Sequence, residues 1–139
     1  MEIIISQNQD TSPVTVMQLR GALDGSSYEA FITEAEELYK AGTRNLLLDM
    51  SELEFLSSAG LAALHRVARV LRGDDRATME EGWSAVRAMG RDSDSGFQEH
   101  MKLLNPSENI ESVLDTVGFK AFFEIYTDLE QALAAFPTS

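Results

Sequence analysis

The sequence predicts an α/β protein in which a mixed β-sheet of about five strands is covered by about four to five helices. Three observations lead there. Two β-branched strand signals open the chain, helix-period and strand-period segments then alternate to its end, and the apolar run Asn45 to Met50 reads as a central strand covered on both faces. Alternation of this kind calls for right-handed crossovers between parallel strands. At 139 residues and 15.4 kDa the chain has the size of one domain, residues 1–139, built on one core.

Ile3, Ile4 and Ile5 mark the first strand, and Val14 to Leu19 the second, joined by the polar, Pro-containing segment Gln7 to Pro13 as an antiparallel hairpin. From Gly25 the period becomes helical. Tyr28, Phe31, Ile32, Ala35, Leu38 and Tyr39 share one face, and Gly42 stands where the helix should stop. After the Asn45–Met50 strand, Ser51 to Leu56 reads as a loop. Leu61, Leu64, Val67, Ala68 and Leu71 then define a second amphipathic helix, with His65, Arg66, Arg69 and Arg72 on its polar side.

Residues 73–100 mix acids, arginines, glycines and serines around isolated large residues and read as an insertion, with a short helix through Met79, Trp83, Val86 and Met89 and a mobile stretch from Gly90 to Gly96. Met101 to Leu104 is a short strand. Asn105-Pro106-Ser107-Glu108 is a helix start with Asn105 as cap, Ile110, Val113, Leu114 and Val117 form the buried stripe, and Gly118 ends it. A strand from Ala121 to Tyr126 follows. The capping pattern Thr127-Asp128-Leu129-Glu130 starts a last helix with Leu129, Leu133 and Phe136 inward, closed by Pro137.

Composition excludes whole classes of function. With 11 Lys and Arg against 23 Asp and Glu, the formal net charge is −12, so neither nucleic acid nor an anionic membrane is an expected partner. There is no cysteine, which removes disulfides, thiol nucleophiles, thiolate zinc sites and iron–sulfur clusters. His65 and His100 have no neighbours at metal-ligand spacing, and neither a Gly-rich phosphate cradle nor a Gly-x-Ser-x-Gly elbow occurs. No metal, cofactor or catalytic residue is expected. The start lacks a basic leader and no run reaches membrane-spanning length, so the expected location is the cytoplasm.

The most pointed local feature is Phe55-Leu-Ser-Ser-Ala-Gly-Leu61, which places two hydroxyls and a glycine at a helix start. Helix N-termini present unpaired amides and the positive end of the dipole, so a serine there can cap the helix, and a phosphate added there meets favourable local electrostatics. Spacing alone leaves both uses open. Arg66, Arg69 and Arg72 form the one basic stripe in an acidic chain, placed to face an acidic partner.

A resemblance spread over the chain bears on that choice. Leu19-Arg-Gly-Ala-Leu-Asp24, Leu47-Leu-Asp49, Phe55 to Leu61, Asn105-Pro106, Val117-Gly118-Phe119 and Phe123-Glu-Ile-Tyr126 keep the order and approximate spacing of the STAS domain of anti-sigma factor antagonists, which this chain resembles outside 73–100. The family's phosphorylation block is Asp-Ser-Ser-Gly-Leu or a close variant, and the modified serine follows the Asp. Ser58 stands in that column. Ser57 replaces the Asp, which alters kinase recognition and makes Ser57 a second candidate hydroxyl, while Ala59 stands where the family often has Ser or Thr, and Gly60 and Leu61 match. The family's second signature loop, Gly-Glu-Leu-Asp, appears as Gly21-Ala-Leu-Asp24, and the resemblance implies that it lies beside the phosphorylation loop; Asp24 before Gly25-Ser26-Ser27 is equally a turn or cap residue.

What the resemblance implies is a non-enzymatic switch that binds an anti-sigma factor with serine kinase activity when unphosphorylated and is reset by a serine phosphatase. Its partner surface would comprise Asp24, Gly25, Ser57, Ser58, Leu61, Arg66 and Arg69. The main alternative keeps the fold without the switch, as a scaffold or sensory STAS module that self-assembles, for instance as a homodimer. A third class, a small enzyme or nucleotide binder, would need Asp24, Asp49 and Ser58 to converge beyond the strand ends.

Overall fold

A computed structural model describes residues 1–8, 14–73 and 99–136. The expected insertion at 73–100, with its short helix and Gly90–Gly96 stretch, falls almost wholly outside the described residues, as does Pro137.

Alternation in the first segment turns Ile3 and Ile5 toward the core and leaves Glu2, Ile4 and Ser6 outside, the period-2 arrangement of a strand. This is β1 (Glu2–Asn8), paired antiparallel with β2 (Val14–Leu23) from Glu2 opposite Arg20 to Asn8 opposite Val14. The expected hairpin forms, and β2 extends beyond Leu19. That extension matters because β2 serves two neighbours. Its first half runs parallel to β3 (Leu46–Asp49), with Thr15 opposite Leu46; at Gly21, whose φ of +101° favours glycine, the register shifts and Gly21 to Leu23 pair in parallel with β4 (Leu53–Leu56). The segment expected as a loop therefore contains a strand. Its burial pattern, with Leu53 and Leu56 inside and Glu54 and Phe55 outside, has no period of 2, so alternation could not reveal it.

β5 (Met101–Leu104) pairs parallel with β3, and β6 (Ile125–Tyr126) pairs parallel with β5, giving the order β1-β2-β3-β5-β6 with β4 alongside β2. Helices α1 (Tyr28–Lys40), α2 (Ser58–Leu71) and α3 (Glu108–Thr116) pack on one sheet face against Met17, Leu19, Leu46, Leu48, Met101 and Leu103. The intervening residues Val14, Leu47 and Leu104 face the other way, where α4 (Leu129–Ala134) and the following Phe136 cover them. The described residues thus form a six-stranded mixed sheet with four α-helices, the predicted class.

Three local expectations are corrected. Ser107, not Asn105, caps α3: its Oγ accepts the Ile110 N–H at 3.2 Å, while Asn105 turns the chain at φ +52°. The expected strand 121–126 is shortened to Ile125 and Tyr126: a 3-10 turn (Phe119–Ala121) follows Gly118, and residues 122–124 turn the chain before the strand begins. Phe119, Phe122 and Phe123 form an aromatic cluster with centroid separations of 4.8–6.0 Å, all buried, and a strand would send the neighbours Phe122 and Phe123 to opposite faces. In α4, Asp128 is the cap and Leu129 is exposed rather than inward; Ala132 and Phe136 make the buried contact.

Among the described residues, one charged group lies deep in the sheet. Lys102, in β5, is 2% exposed; its Nζ donates to Glu124 Oε1 at 2.9 Å and lies 5.3 Å from the centroid of the Phe136 ring. The Tyr126 hydroxyl donates to the other carboxylate oxygen, Oε2, at 2.6 Å. These hydrogen bonds, that of Tyr126 foremost and then that of Lys102, hold the Glu124 carboxyl below its ordinary range. The same hydrogen bond to Glu124, then burial and the Glu124 charge, push the Tyr126 phenol up to about 12.

Candidate functional site

Strands β2 and β4 end side by side, Leu23 opposite Leu56, and the Leu23 carbonyl accepts the Ser57 N–H at 3.0 Å. The chain leaves β4 extended at Ser57 (φ −91°, ψ 176°) and enters α2 at Ser58. Ser57 Oγ accepts the Gly60 N–H at 3.2 Å, satisfying one of the amides that a helix start leaves unpaired. Ser58 is then the first helical residue, exposed, with no partner for its hydroxyl among the described residues. The two adjacent serines have separate positions: one faces into the helix start, the other out.

Gly60 lets this corner close. A Cβ at residue 60 would lie 2.5 Å from the Leu23 carbonyl oxygen and 2.8 Å from Leu56 Cδ1, so only glycine allows α2 to start against the ends of β2 and β4. Beyond Leu23 the chain turns at Asp24, whose Oδ1 accepts the Ser26 N–H at 2.9 Å and the Ser26 hydroxyl at 2.7 Å. Those bonds from Ser26 hold the Asp24 carboxyl below its ordinary value, so it is ionised at neutral pH. The Ser27 hydroxyl donates to the Ala22 carbonyl at 2.7 Å and accepts the Asp24 N–H at 3.0 Å, tying the turn to the end of β2.

The structure therefore brings Asp24, Gly25, Ser57 and Ser58 together at one corner. Leu61 lies beneath it, 4% exposed, and supports the corner without offering surface. Arg66 and Arg69 are about 12 and 16 Å further along α2 at 1.5 Å per residue; both are half-buried, and Arg66 Nη2 lies 3.7 Å from Glu36 Oε2 on α1. Asp49 accepts bonds from Gln18 Nε2 at 3.2 Å and the Ser51 N–H at 3.0 Å, which fixes it in the β3–β4 turn.

Two contributors escaped the sequence. Phe55 is 51% exposed on β4, opposite Ala22, and puts an apolar ring beside the serine corner; the nearby Glu52 and Glu54 are exposed too. Nothing in the sequence marks Phe55 as outward, because neighbours with the same apolar character are buried. Gly60 was visible as a residue, but its reason, close approach to the β2 backbone, exists only in three dimensions.

Ser57→Ala is expected to cost about 1 kcal/mol of stability by removing the cap, whereas Ser58→Ala should change stability by less than about 0.5 kcal/mol. Urea unfolding of both variants measures this, and equal losses would contradict the division between them.

Among the described residues no group of three or more His, Asp or Glu is arranged to hold a metal ion, and no helix is long and apolar enough to cross a membrane.

The fold defines a class of small α/β domains, and comparison with known proteins assigns the family. Residues 6–89 match the family described as Mlab, STAS domain, and the chain belongs to the STAS-domain family. BtrV of Bordetella bronchiseptica, provisionally named an anti-sigma factor antagonist, is 25% identical over 121 residues, 87% of this chain and 84% of that protein. A Thermotoga maritima structure, provisionally described as an anti-sigma factor antagonist, superposes with a TM-score of 0.68 at 17% identity, covering 95% of this chain and 92% of its own. The phosphorylated form of SpoIIAA, a Bacillus cell fate determinant, does so with a TM-score of 0.52 at 17% identity, covering 94% and 97%. At those identities the structures establish shared fold.

Proposed function

We propose that this protein is a non-enzymatic, cytoplasmic anti-sigma factor antagonist, one domain over residues 1–139, whose serine corner docks an anti-sigma factor and is turned off by phosphorylation of Ser58. The observation that carries the reading is the exposed Ser58 hydroxyl beside the Asp24 turn and Phe55, with Ser57 occupied as the cap. The provisional name of BtrV and the existence of a phosphorylated SpoIIAA support it.

The chemistry of the corner suits this role. It offers the exposed Phe55 ring, the exposed carboxylates Glu52 and Glu54 and the half-buried carboxylate of Asp24, so it fits a partner offering an apolar pocket with basic groups at the rim. Arg66, engaged with Glu36, adds little positive charge there. A phosphate on Ser58 adds about −1.5 to −2 charges next to Phe55, where docking would strip its water. The helix start tolerates that charge, so the fold survives while affinity falls. A hundredfold loss needs only about 2.7 kcal/mol.

Incubation with the cognate anti-sigma factor kinase and ATP, followed by mapping of the modified residue, tests the assignment. Label on Ser58, retained in Ser57→Ala and lost in Ser58→Ala, is the expected result, together with roughly hundredfold weaker kinase binding by Ser58→Asp. Modification confined to residues away from this corner, or unchanged binding by Ser58→Asp, would contradict it. In the same reading a serine phosphatase removes the phosphate.

A further inference from the structure

The turn that follows β2 carries the dipeptide Asp24-Gly25. An aspartyl carboxyl carbon lies one short ring closure from the next residue's amide nitrogen, and a glycine there leaves that nitrogen unshielded. In this turn the nitrogen is open. Gly25 is exposed; among the described residues only its two chain neighbours come within 4 Å of the place where a Cβ would sit, and its N–H has no hydrogen-bond partner. The carboxyl group is restrained instead. Asp24 Oδ1 accepts both the Ser26 N–H at 2.9 Å and the Ser26 hydroxyl at 2.7 Å. The Asp24 N–H is held by Ser27 Oγ at 3.0 Å, and its carbonyl accepts the Ser27 and Tyr28 N–H groups at 3.1 and 2.9 Å.

From this pairing of an open nucleophile with a restrained carboxyl we infer that Asp24-Gly25 is a site of spontaneous backbone isomerisation to isoaspartate, and that Ser26 is the residue that keeps it in the aspartyl form. The chemistry needs only water. The Gly25 nitrogen bonds to Asp24 Cγ while the carboxyl OH and the nitrogen's proton depart as one water, closing a five-membered imide. A water then adds to the Asp24 main-chain carbonyl carbon and breaks that carbon's bond to the Gly25 nitrogen, which recovers a proton. The chain now runs through the Asp24 side chain, and the former carbonyl is a carboxylate. One water leaves and one enters, so the composition is unchanged. Ser26 opposes the ring closure in two ways. The departing oxygen must be protonated, whereas the two bonds from Ser26 favour the charged carboxylate. Closure also draws Oδ1 away from Ser26, so both bonds are lost on the way to the ring. The product takes from the start of α1 the carbonyl that accepts Ser27 and Tyr28, and it adds a backbone carbon next to Leu23, whose carbonyl holds the Ser57 N–H. Isomerisation of this turn stands independently of phosphorylation at Ser58.

Prolonged incubation of the whole folded chain at neutral pH and physiological temperature, followed by peptide mapping that separates aspartyl from isoaspartyl forms, tests this. The wild type should convert slowly at Asp24, and the same chain unfolded in guanidinium chloride should convert faster. Ser26→Ala, shown to be folded by circular dichroism, keeps the N–H but lacks the hydroxyl; it should convert roughly tenfold faster than the folded wild type, the effect of one lost hydrogen bond to a charged group. Ser26→Thr restores the hydroxyl and should return the rate to that of the wild type. Gly25→Ala is tolerated at a residue whose surroundings are open and whose φ is outside the left-handed region, and it should slow conversion in both the folded and the unfolded chain. Folded wild type converting as fast as the unfolded chain, a folded Ser26→Ala no faster than the wild type, undiminished conversion in Gly25→Ala, or isoaspartate forming at other residues but not at Asp24 would each overturn the assignment.

Discussion

Gly60→Val is expected to destabilise the protein by about 3 kcal/mol or more, and Gly60→Ala by about 1–3 kcal/mol. The sign is the informative part. At an exposed helix position alanine is better than glycine by about 1 kcal/mol, so propensity alone forecasts a gain. The added carbon at residue 60 would instead meet the Leu23 carbonyl oxygen at 2.5 Å, a backbone atom that also accepts the Ser57 N–H and cannot swing aside. Relief requires α2 to move off the ends of β2 and β4, which loosens the Ser57 cap and displaces Ser58. Denaturant midpoints should therefore fall in the order Gly, Ala, Val, and the valine variant should also lose partner binding. A more stable alanine variant would mean that the corner is looser than its geometry indicates.

Glu124→Gln is expected to cost about 2–3 kcal/mol, somewhat under the 3–5 kcal/mol typical of a fully buried broken pair because water reaches the Glu124 side of the contact. The residue left behind causes most of the loss. Lys102 is buried opposite Leu47 with its Nζ near the Phe136 ring, and the substitution removes the carboxylate that lies 2.9 Å from it. Removing both charges with Lys102→Met and Glu124→Gln should recover most of the stability, since an apolar replacement of similar volume has no charge to desolvate. The pH dependence follows from the lowered Glu124 carboxyl. A group depressed in the folded state contributes its full stability above the ordinary glutamate value of 4.5 and loses it as pH falls through the folded value. The wild type should lose this contribution on acidification, and Glu124→Gln should lack that component; identical acid profiles would contradict the assignment.

How much of this was readable in advance depends on which physical signal each element leaves in the sequence. The hairpin, α1, α2, β3 and β5 announce themselves by period or by unbroken apolar character, and they carry the fold class. Elements whose periodicity is broken do not. β4 is four residues with two adjacent outward side chains, and the Ala121–Tyr126 segment looks like a strand because its aromatic residues favour strands, although packing of Phe122 and Phe123 with Phe119 selects a tight turn in its first part. Lys102 passed unnoticed because one lysine in a four-residue strand suggests a solvent-facing side, and its partner Glu124 lies 22 positions away. At the serine corner, residue identity left open whether the hydroxyls cap the helix or are modified, and the backbone angles at residue 57 are what make Ser57 the cap. Leu61 and Arg66 show the converse: they belong to the expected surface by position, yet core packing holds one and Glu36 engages the other.

Helix α2 is enclosed on nearly every side, with Gly60 to Leu64, Val67, Ala68, Val70 and Leu71 all buried. An element wedged in this way has little freedom to tilt or unwind. Information written at its tip must then be read as a change in what the surface offers a visitor, with the backbone before and after almost superimposable. Spectroscopic probes placed deep in the protein should stay silent when the tip is modified, and only an incoming molecule would register the difference.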